Sequence, residues 1–330
     1  MPVTLRDIAR RADVSHATVS VVLNQRSVPI IGERTRQRVL KVAAELGYQP
    51  NHLARALATG RSYIIAVWVV DPYNPYAAQT LNLLQTIART GPYALMAVEA
   101  PPPEVANSGF PPRSHWPVDA VIAMDCPERV SQMLGGPQPP KTPIVSLGRV
   151  FSTQTDYVGI DNAAGVREAL DHLVKTGRRS IALLSVDDAG ATAPVTSAYL
   201  EGMAAAGLPT EIIQATAATR YAGREAVVAR LQKGNPPDAI LAFNDLLAVG
   251  ALKALRDGSV AVPGKVAVVA CSGTDELAYD EPAITVVEHP LQQMCELGWQ
   301  FLQNRMTALS GPPQQLILKP QLVVRASSAS

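Results

Sequence analysis

Residues 4–24 read TLRDIARRADVSHATVSVVLN, and the way this stretch folds decides what the rest of the chain serves. Thr4 is placed to cap a helix, with Asp7 three residues on as its acidic partner, and Leu5, Ile8, Ala9 and Ala12 then recur at helical spacing. Asp13-Val14 makes a tight turn. Ser15 caps a second helix, in which Ala17, Val19, Val22 and Leu23 mix inward and edge positions, and Asn24-Gln25 ends it. A third helix runs from about Glu33 to Leu46, with Val39, Val42, Ala43 and Leu46 inward and Gly47 at its C-terminus. Gly32 stands at the N-cap of that helix, weaker there than serine by roughly a few tenths of a kcal/mol. Two short helices joined by a tight turn and braced by a third describe a helix-turn-helix, whose second helix enters the major groove of DNA.

Charge supports that reading. The chain of 330 residues has a net charge of +1, but residues 1–62 hold ten Arg/Lys against four Asp/Glu, so the remainder is acidic. A basic head on an acidic body expects a polyanion at the head alone.

From about Tyr63 onward, continuous apolar runs of strand length alternate with helical stretches. IIAVWVV, YALMAV, DAVIAM, PIVSLG, SIALLS, AILAF and VAVVA suit parallel strands covered on both faces, with helices expected at 162–176 and 245–257. The fold class expected is a small all-α helix-turn-helix domain plus an α/β body of two doubly wound parallel-sheet lobes. Two proline-rich stretches, at 100–117 and 135–143, break helical continuity and read as loops.

Several function classes are excluded by what is missing. No apolar run approaches the roughly 18 residues needed to cross a bilayer, and MPVTLRDIARR has no apolar segment of a signal peptide, so a cytoplasmic protein is expected. Cys126, Cys271 and Cys295 are far apart and form no CxxC pair; buried free thiols are expected. The five histidines are scattered, with no HExxH, and there is no GxxxxGK[ST], no GxGxxG after a strand and no GxSxG. No enzyme, cofactor or metal is expected.

TLRDIARRADVSHATVSVVLN followed by TRQRVLKVAAELGYQPNHLARALATGRS resembles the DNA-binding head of the LacI/GalR family of transcription regulators. The resemblance continues through VVDPYNPY, DNAAGVREALDHLVKTGRRSIALL, PDAILAFNDLLAVGALKAL, VPGKVAVVA, PAITVVEHP and LILKPQLVVR, in family order over nearly the whole chain. It implies a helix-turn-helix domain at 1–49, a hinge helix at 50–61 and an effector-binding and dimerisation body at 62–330 of the type I periplasmic-binding-protein-like fold. It also implies three crossings between the lobes, near 160, 288 and 320. Lobe one then takes about 62–160 and 289–319, and lobe two about 161–288 and 320–330.

For the head, the resemblance implies phosphate contacts from Thr4, Thr18, Ser20 and Asn24, and base-edge contacts from positions 16, 17 and 21. Ser15 and Thr35 belong to the same surface. Where the family often carries an arginine that grips guanine, this chain has Val21; His16 donates or accepts, while Ala17 and Val21 offer apolar contact to thymine methyls. In the hinge, Leu57 matches the leucine that wedges into the minor groove, with Asn51 and Arg55 near phosphates.

For the body, the resemblance places a small-molecule effector between the lobes, near Tyr76, Ala77, Val195, Tyr199, Asn244, Asp245 and Ser272. Family pockets often have an arginine where Tyr199 stands and an aspartate where Ser272 stands, which points away from a typical sugar toward a neutral, partly aromatic ligand. A regulator controlled by a protein partner, with a relic pocket, is the alternative, and a secreted solute receptor a more distant one. The family's tetramerising heptad tail is not seen in VVRASSAS, so a homodimer on operator DNA is expected. The wedge makes the first prediction. Leu57→Ala lowers operator affinity by about tenfold or more, about 1.4 kcal/mol, and leaves the circular dichroism spectrum unchanged; a mobility-shift titration showing equal affinity removes the hinge assignment.

Overall fold

The computed structural model describes residues 3–23, 31–48, 60–100, 118–134, 142–148, 155–186, 189–308 and 310–329. They fall into two compact units, 1–62 and 63–330.

The first unit contains three helices, α1 (Leu5–Ala12), α2 (His16–Leu23) and α3 (Glu33–Glu45). α1 starts at a capping box. The Thr4 hydroxyl accepts from the Asp7 N–H at 3.4 Å, and the Asp7 carboxylate accepts from the Thr4 N–H at 3.0 Å. The Thr4 hydroxyl and the Arg10 guanidinium donate to the same carboxylate and hold it below its ordinary pKa, the Thr4 bond being the main cause. α1 stops at Asp13, which takes the left-handed conformation at φ 49° and lets the Val14 N–H reach the Ala9 carbonyl. α3 starts at Gly32 with no side-chain cap, as its lack of a side chain requires. Ile8, Ala9, Ala12, Val19, Val22, Val39, Val42 and Ala43 close a small core between the helices.

The second unit has two six-stranded sheets. Its elements are β1 (Ile64–Val69), α4 (Pro75–Ala88), β2 (Ala94–Glu99), β3 (Ala120–Met124), α5 (Pro127–Leu134), β4 (Ile144–Gly148), β5 (Asp156–Ile160), α6 (Asn162–Lys175), β6 (Ile181–Val186), α7 (Ala189–Ala205), β7 (Glu211–Ala215), α8 (Arg220–Leu231), β8 (Ala239–Ala242), α9 (Asp245–Asp257), β9 (Ala267–Gly273), β10 (Thr285–Glu288), α10 (Leu291–Thr307), β11 (Gln315–Leu318) and β12 (Gln321–Val323). The first sheet has the order β11-β5-β4-β3-β1-β2 and is parallel throughout. The second has the order β12-β10-β9-β8-β6-β7 and is parallel except for β12 against β10. The chain passes from one sheet to the other after β5, after β10, and between β11 and β12.

Central strands are buried along their whole length because each sheet is covered on both faces. In lobe one, Ile65, Val67, Ile122 and Val145 pack toward α4 and α10, while Ala66, Trp68 and Val121 pack toward Val130 of α5. In lobe two, Leu184, Ile240 and Val268 meet α8 and α9, and Leu183, Leu241 and Val269 meet α6 and α7. α8 and α9 come close enough that a Cβ on Gly250 would lie 2.3 Å from the Arg220 carbonyl oxygen. All three cysteines are buried thiols outside any disulfide.

Two polar locks tie late segments into the sheets. Asp156, with its side chain fully buried in β5, receives two bonds from the Arg305 guanidinium, at 2.7 and 2.8 Å, and one from the Gln314 N–H at 2.7 Å. Arg305 also donates to the carbonyls of Gly311 and Pro312, so α10, β5 and the approach to β11 meet on one fork. In lobe two, the buried Ser327 hydroxyl accepts from the Thr285 N–H at 2.8 Å, and Ser328 lies 2.7 Å from the Thr285 hydroxyl and 2.8 Å from His172 Nε2.

Removing one partner from a buried charge pair leaves the other stranded. Arg305→Ala therefore lowers unfolding free energy by about 3–5 kcal/mol in urea titration of the whole chain. Arg305→Lys recovers part of the loss, since an ammonium lacks the two-pronged geometry.

Candidate functional site

The outward face of α2 is the first site. Val19 and Val22 point into the head core, which leaves the opposite side to His16, Ala17, Ser20 and Val21. His16 and Ala17 are exposed and Val21 is half-buried without joining the core cluster. The Ser15 hydroxyl accepts from the Thr18 N–H at 3.0 Å and lies 2.8 Å from the Thr18 hydroxyl, so the start of the helix carries two exposed or half-buried hydroxyls side by side. Thr35 is half-buried in the first turn of α3. Asn24, Asn51, Arg55 and Leu57 lie outside the described residues, as does the proline-rich stretch 101–117.

The second site is a cleft between the two lobes of the body, with a cavity of about 90 Å³. It lies beyond the carboxyl ends of the strands, where parallel sheets leave unpaired backbone and helix starts. Lobe one supplies Asn74, Tyr76, Asp125 and Gly148; lobe two supplies Val195, Phe243, Asn244, Asp245, Cys271, Ser272 and Gly273; Ile160, Asn162 and His289 come from the connections between them. Local sequence explains the placements. Asn74 caps α4 ahead of Pro75, its side chain accepting from the Tyr76 N–H at 3.0 Å, and this sets Tyr76 at the cleft edge. Asn244 caps α9 by accepting from the Leu247 N–H at 2.9 Å, so Asp245 is the first helical residue, not the cap. Asp161 caps α6 through the Ala164 N–H at 2.8 Å, which presents Asn162 to the cleft. Gly148 ends β4 at φ +89°, and a Cβ there would sit 2.4 Å from Asp125 Oδ1 and 3.1 Å from the Tyr76 hydroxyl.

Of the residues expected at the effector site, Tyr76, Val195, Asn244, Asp245 and Ser272 line the cleft. Two do not, and these are corrections. Tyr199 is fully buried in the core under β6 and β7. Its hydroxyl lies 2.8 and 3.0 Å from the carbonyl oxygens of Ile181 and Glu211 and accepts from the Glu211 N–H at 2.9 Å. Its phenol replaces solvent contact with strand-edge bonds, and burial raises its pKa. Ala77 faces inward onto the lobe-one core beside Leu84.

Sequence reading missed Asp125, Asn162 and His289. The signal for Asp125 was a carboxylate directly after a wholly apolar strand, and for His289 a histidine-proline pair at a crossing. His289 is half-buried, yet both ring nitrogens are closed off from solvent and lack a hydrogen-bond partner, and the Tyr76 ring stands edge-on to it at 6.0 Å between centroids. The Asn162 side-chain oxygen is likewise buried without a partner. Burial pushes His289 down to about 4 and holds Asp245 above its ordinary value. Burial, with the neighbouring Asp125 carboxylate second, raises Tyr157, whose hydroxyl donates to the Gly148 carbonyl at 2.8 Å.

Known proteins share this arrangement. Residues 4–51 match the domain described as bacterial regulatory proteins, lacI family, and residues 170–328 match the periplasmic binding protein-like domain. The HTH-type transcriptional regulator CelR of Thermobifida fusca is 30% identical over 339 residues, which cover 98% of this chain and 98% of CelR. Among solved structures, the lac repressor dimer bound to operator and the anti-inducer ONPF has the same fold, with a TM-score of 0.86 at 22% identity over 100% of both chains. A complex of transcriptional regulator CelR with cellobiose gives a TM-score of 0.68 at 28% identity, over 98% of this chain and 99% of that one.

The depressed His289 value fixes a pH dependence. The unfolded chain takes up a proton below about pH 6.5, while the folded site resists it down to about 4. Stability is thus full above pH 6.5 and falls as pH drops toward 4, by an amount on the order of 2 kcal/mol. His172, lowered mainly by burial, adds in the same direction. Urea midpoints for His289→Gln flatten across this window relative to the wild type.

Proposed function

The chain belongs to the LacI family of bacterial regulatory proteins and is a DNA-binding transcriptional regulator, and from that premise we propose a cytoplasmic homodimeric repressor that binds a pseudo-palindromic operator and is controlled by a small molecule in the cleft. Its relatives are transcriptional regulators, and we assign it no catalytic activity. We take residues 1–49 as the DNA-binding domain, 50–61 as the hinge helix and 62–330 as the effector body, with lobe one at about 62–160 and 289–319 and lobe two at about 161–288 and 320–330.

The observation that carries the reading is the division of labour on α2. Val19 and Val22 hold the core, and His16, Ala17 and Val21 stand outside it. A recognition helix needs such a face clear of the core, and the short side chains here let its backbone approach the groove floor. Thr4, Ser15, Thr18, Ser20, Asn24 and Thr35 supply short polar groups for phosphate oxygens, which fix register without reading sequence. His16, Ala17 and Val21 read base edges, weighted toward thymine methyl contact. Asn51, Arg55 and Leu57 complete the surface at the operator centre, where deformability of the step adds specificity.

The cleft favours a small-molecule effector over the reading in which the pocket is a relic. A relic would be expected to collapse or fill with apolar side chains, whereas here Asn162 and His289 keep buried polar atoms that lack protein partners. An effector acts by binding the two lobe arrangements unequally and so shifting the share of operator-competent dimers. Selection of binding sites from a random duplex library tests the DNA half. The wild type enriches paired half-sites, and Val21→Arg gains preference for guanine at one position per half-site, by about 1–3 kcal/mol. Identical enriched sites for both proteins would remove Val21 from the reading surface.

A further inference from the structure

The hydrogen-bonding capacity that the fold leaves unused gathers where the chain crosses between lobes. Among the described residues, six buried side-chain nitrogen and oxygen atoms have no hydrogen-bond partner, and three of them belong to two residues of the cleft, Asn162 and His289. Folded proteins pair nearly all such atoms, so exceptions that share one cavity point to a partner from outside the chain.

Asn162 follows the first crossing and His289 sits in the second. The crossings are packed together. A Cβ on Gly165, one turn into α6, would lie 2.4 Å from Val287 of β10 and 3.1 Å from Pro320 of the third crossing. The Asp161 N–H donates to the Leu318 carbonyl at 2.9 Å, which ties the first crossing to the third. Asn162 and His289 are thus carried by neighbouring elements on the links between the lobes, not by the outer walls of either lobe.

What these atoms can bond defines the group they want. The Asn162 side-chain oxygen accepts. Burial keeps the His289 ring unprotonated at neutral pH, so one ring nitrogen donates and the other accepts. An ether or a carboxylate accepts only and leaves the Asn162 oxygen unpaired. An ammonium donates only and leaves the imidazole N–H unpaired. Each unpaired buried group is costly. A hydroxyl or an N–H amide donates and accepts at once. The cavity, about 90 Å³, lies below the roughly 300 Å³ at which pockets for drug-sized ligands begin, so the ligand is compact, on the order of one small ring.

We propose that Asn162 and His289 are the specificity-determining residues of the cleft and take a compact ligand through its hydroxyl or N–H amide groups. The assignment rests on the cleft being the effector site. It also gives that site a means of action. A ligand held by residues on two crossings binds best at the lobe angle that brings both within reach, and unequal binding is what moves a two-state equilibrium.

Thermal shift on the full chain tests this with three pairs in which methylation removes the donors and keeps the acceptors: glucose and its penta-O-methyl ether, uracil and 1,3-dimethyluracil, nicotinamide and N,N-dimethylnicotinamide. In at least one pair the parent raises Tm by a few degrees at saturating concentration, and the methylated partner binds at least tenfold more weakly. Asn162→Leu and His289→Met each weaken the parent by tenfold or more and narrow its lead over the partner. The ligand-free Tm of both variants stays equal or rises, since an apolar side chain removes an unpaired polar group. A methylated partner that binds as well as its parent overturns the proposal, as does a panel with no binder. So does a drop of several degrees in the ligand-free Tm of both variants, which marks bonds made within the fold. Ser272→Phe, which fills the cleft from its half-buried wall, separates the two levels of failure. A parent lost in Ser272→Phe but unchanged in Asn162→Leu and His289→Met leaves the effector site standing and removes the role of the crossings. A hit that persists in Ser272→Phe removes the effector site as well.

Discussion

Parallel strands cannot be joined by tight turns, so every carboxyl end in a parallel sheet must hand the chain to a helix or to another sheet. In this protein that constraint builds the whole body. Three of the hand-overs go to the neighbouring lobe, after β5, after β10 and between β11 and β12. Strand ends and helix starts therefore collect on one edge of each lobe, and the polar residues that cap those helices become the cleft wall. Asn74, Asp161 and Asn244 each satisfy a helix N-terminus, and each sets a residue one or two positions on, Tyr76, Asn162 or Asp245, at the cleft. Capping the helices and lining the cleft are one event.

The head obeys a smaller version of the same economy. Eight apolar residues hold three helices, and the turn between α1 and α2 is set by one left-handed residue, Asp13. With so small a core, the outward face of α2 cannot also be spent on packing. That leaves it for contacts made elsewhere, and the residues on it are short enough to let the helix approach a flat or grooved surface.

Much of this was legible because it is local. The cap at Thr4, the cap at Ser15, the three head helices and the seven apolar strands follow from periodicity and short-range chemistry. β5, β7, β10, β11 and β12 did not stand out, for two reasons. β7, β11 and β12 lie at sheet edges and mix exposed, half-buried and buried positions, so EIIQA, QLIL and QLV have no clear face. β5 is wholly buried, yet it carries Asp156, which Arg305, 149 positions away, and the Gln314 N–H make tolerable in a core. The effector site shows the other limit. Motif position gave the right helix for Tyr199 but not the direction of its side chain; a phenol long enough to reach the β6 and β7 backbone turns inward, where an arginine would have been too costly to bury. Asp125, Asp245 and His289, which meet at the cleft, come from separate lobes and a crossing, and no window of sequence holds them together.

The placement of β11, β12 and the Ser327-Ser328 segment also sets an order of events during synthesis. Lobe one takes its last strand from residues 315–318, and lobe two takes its own from 321–323 and then buries two serines beyond it. Neither lobe closes its sheet until residues 315–323 have left the ribosome, whereas the core of the head is made by residues 8–43, near neighbours in sequence. The head is thus folded while the body is still a nascent chain. The body has an interval, at about 5–20 residues per second, in which unfinished parallel strands stand exposed.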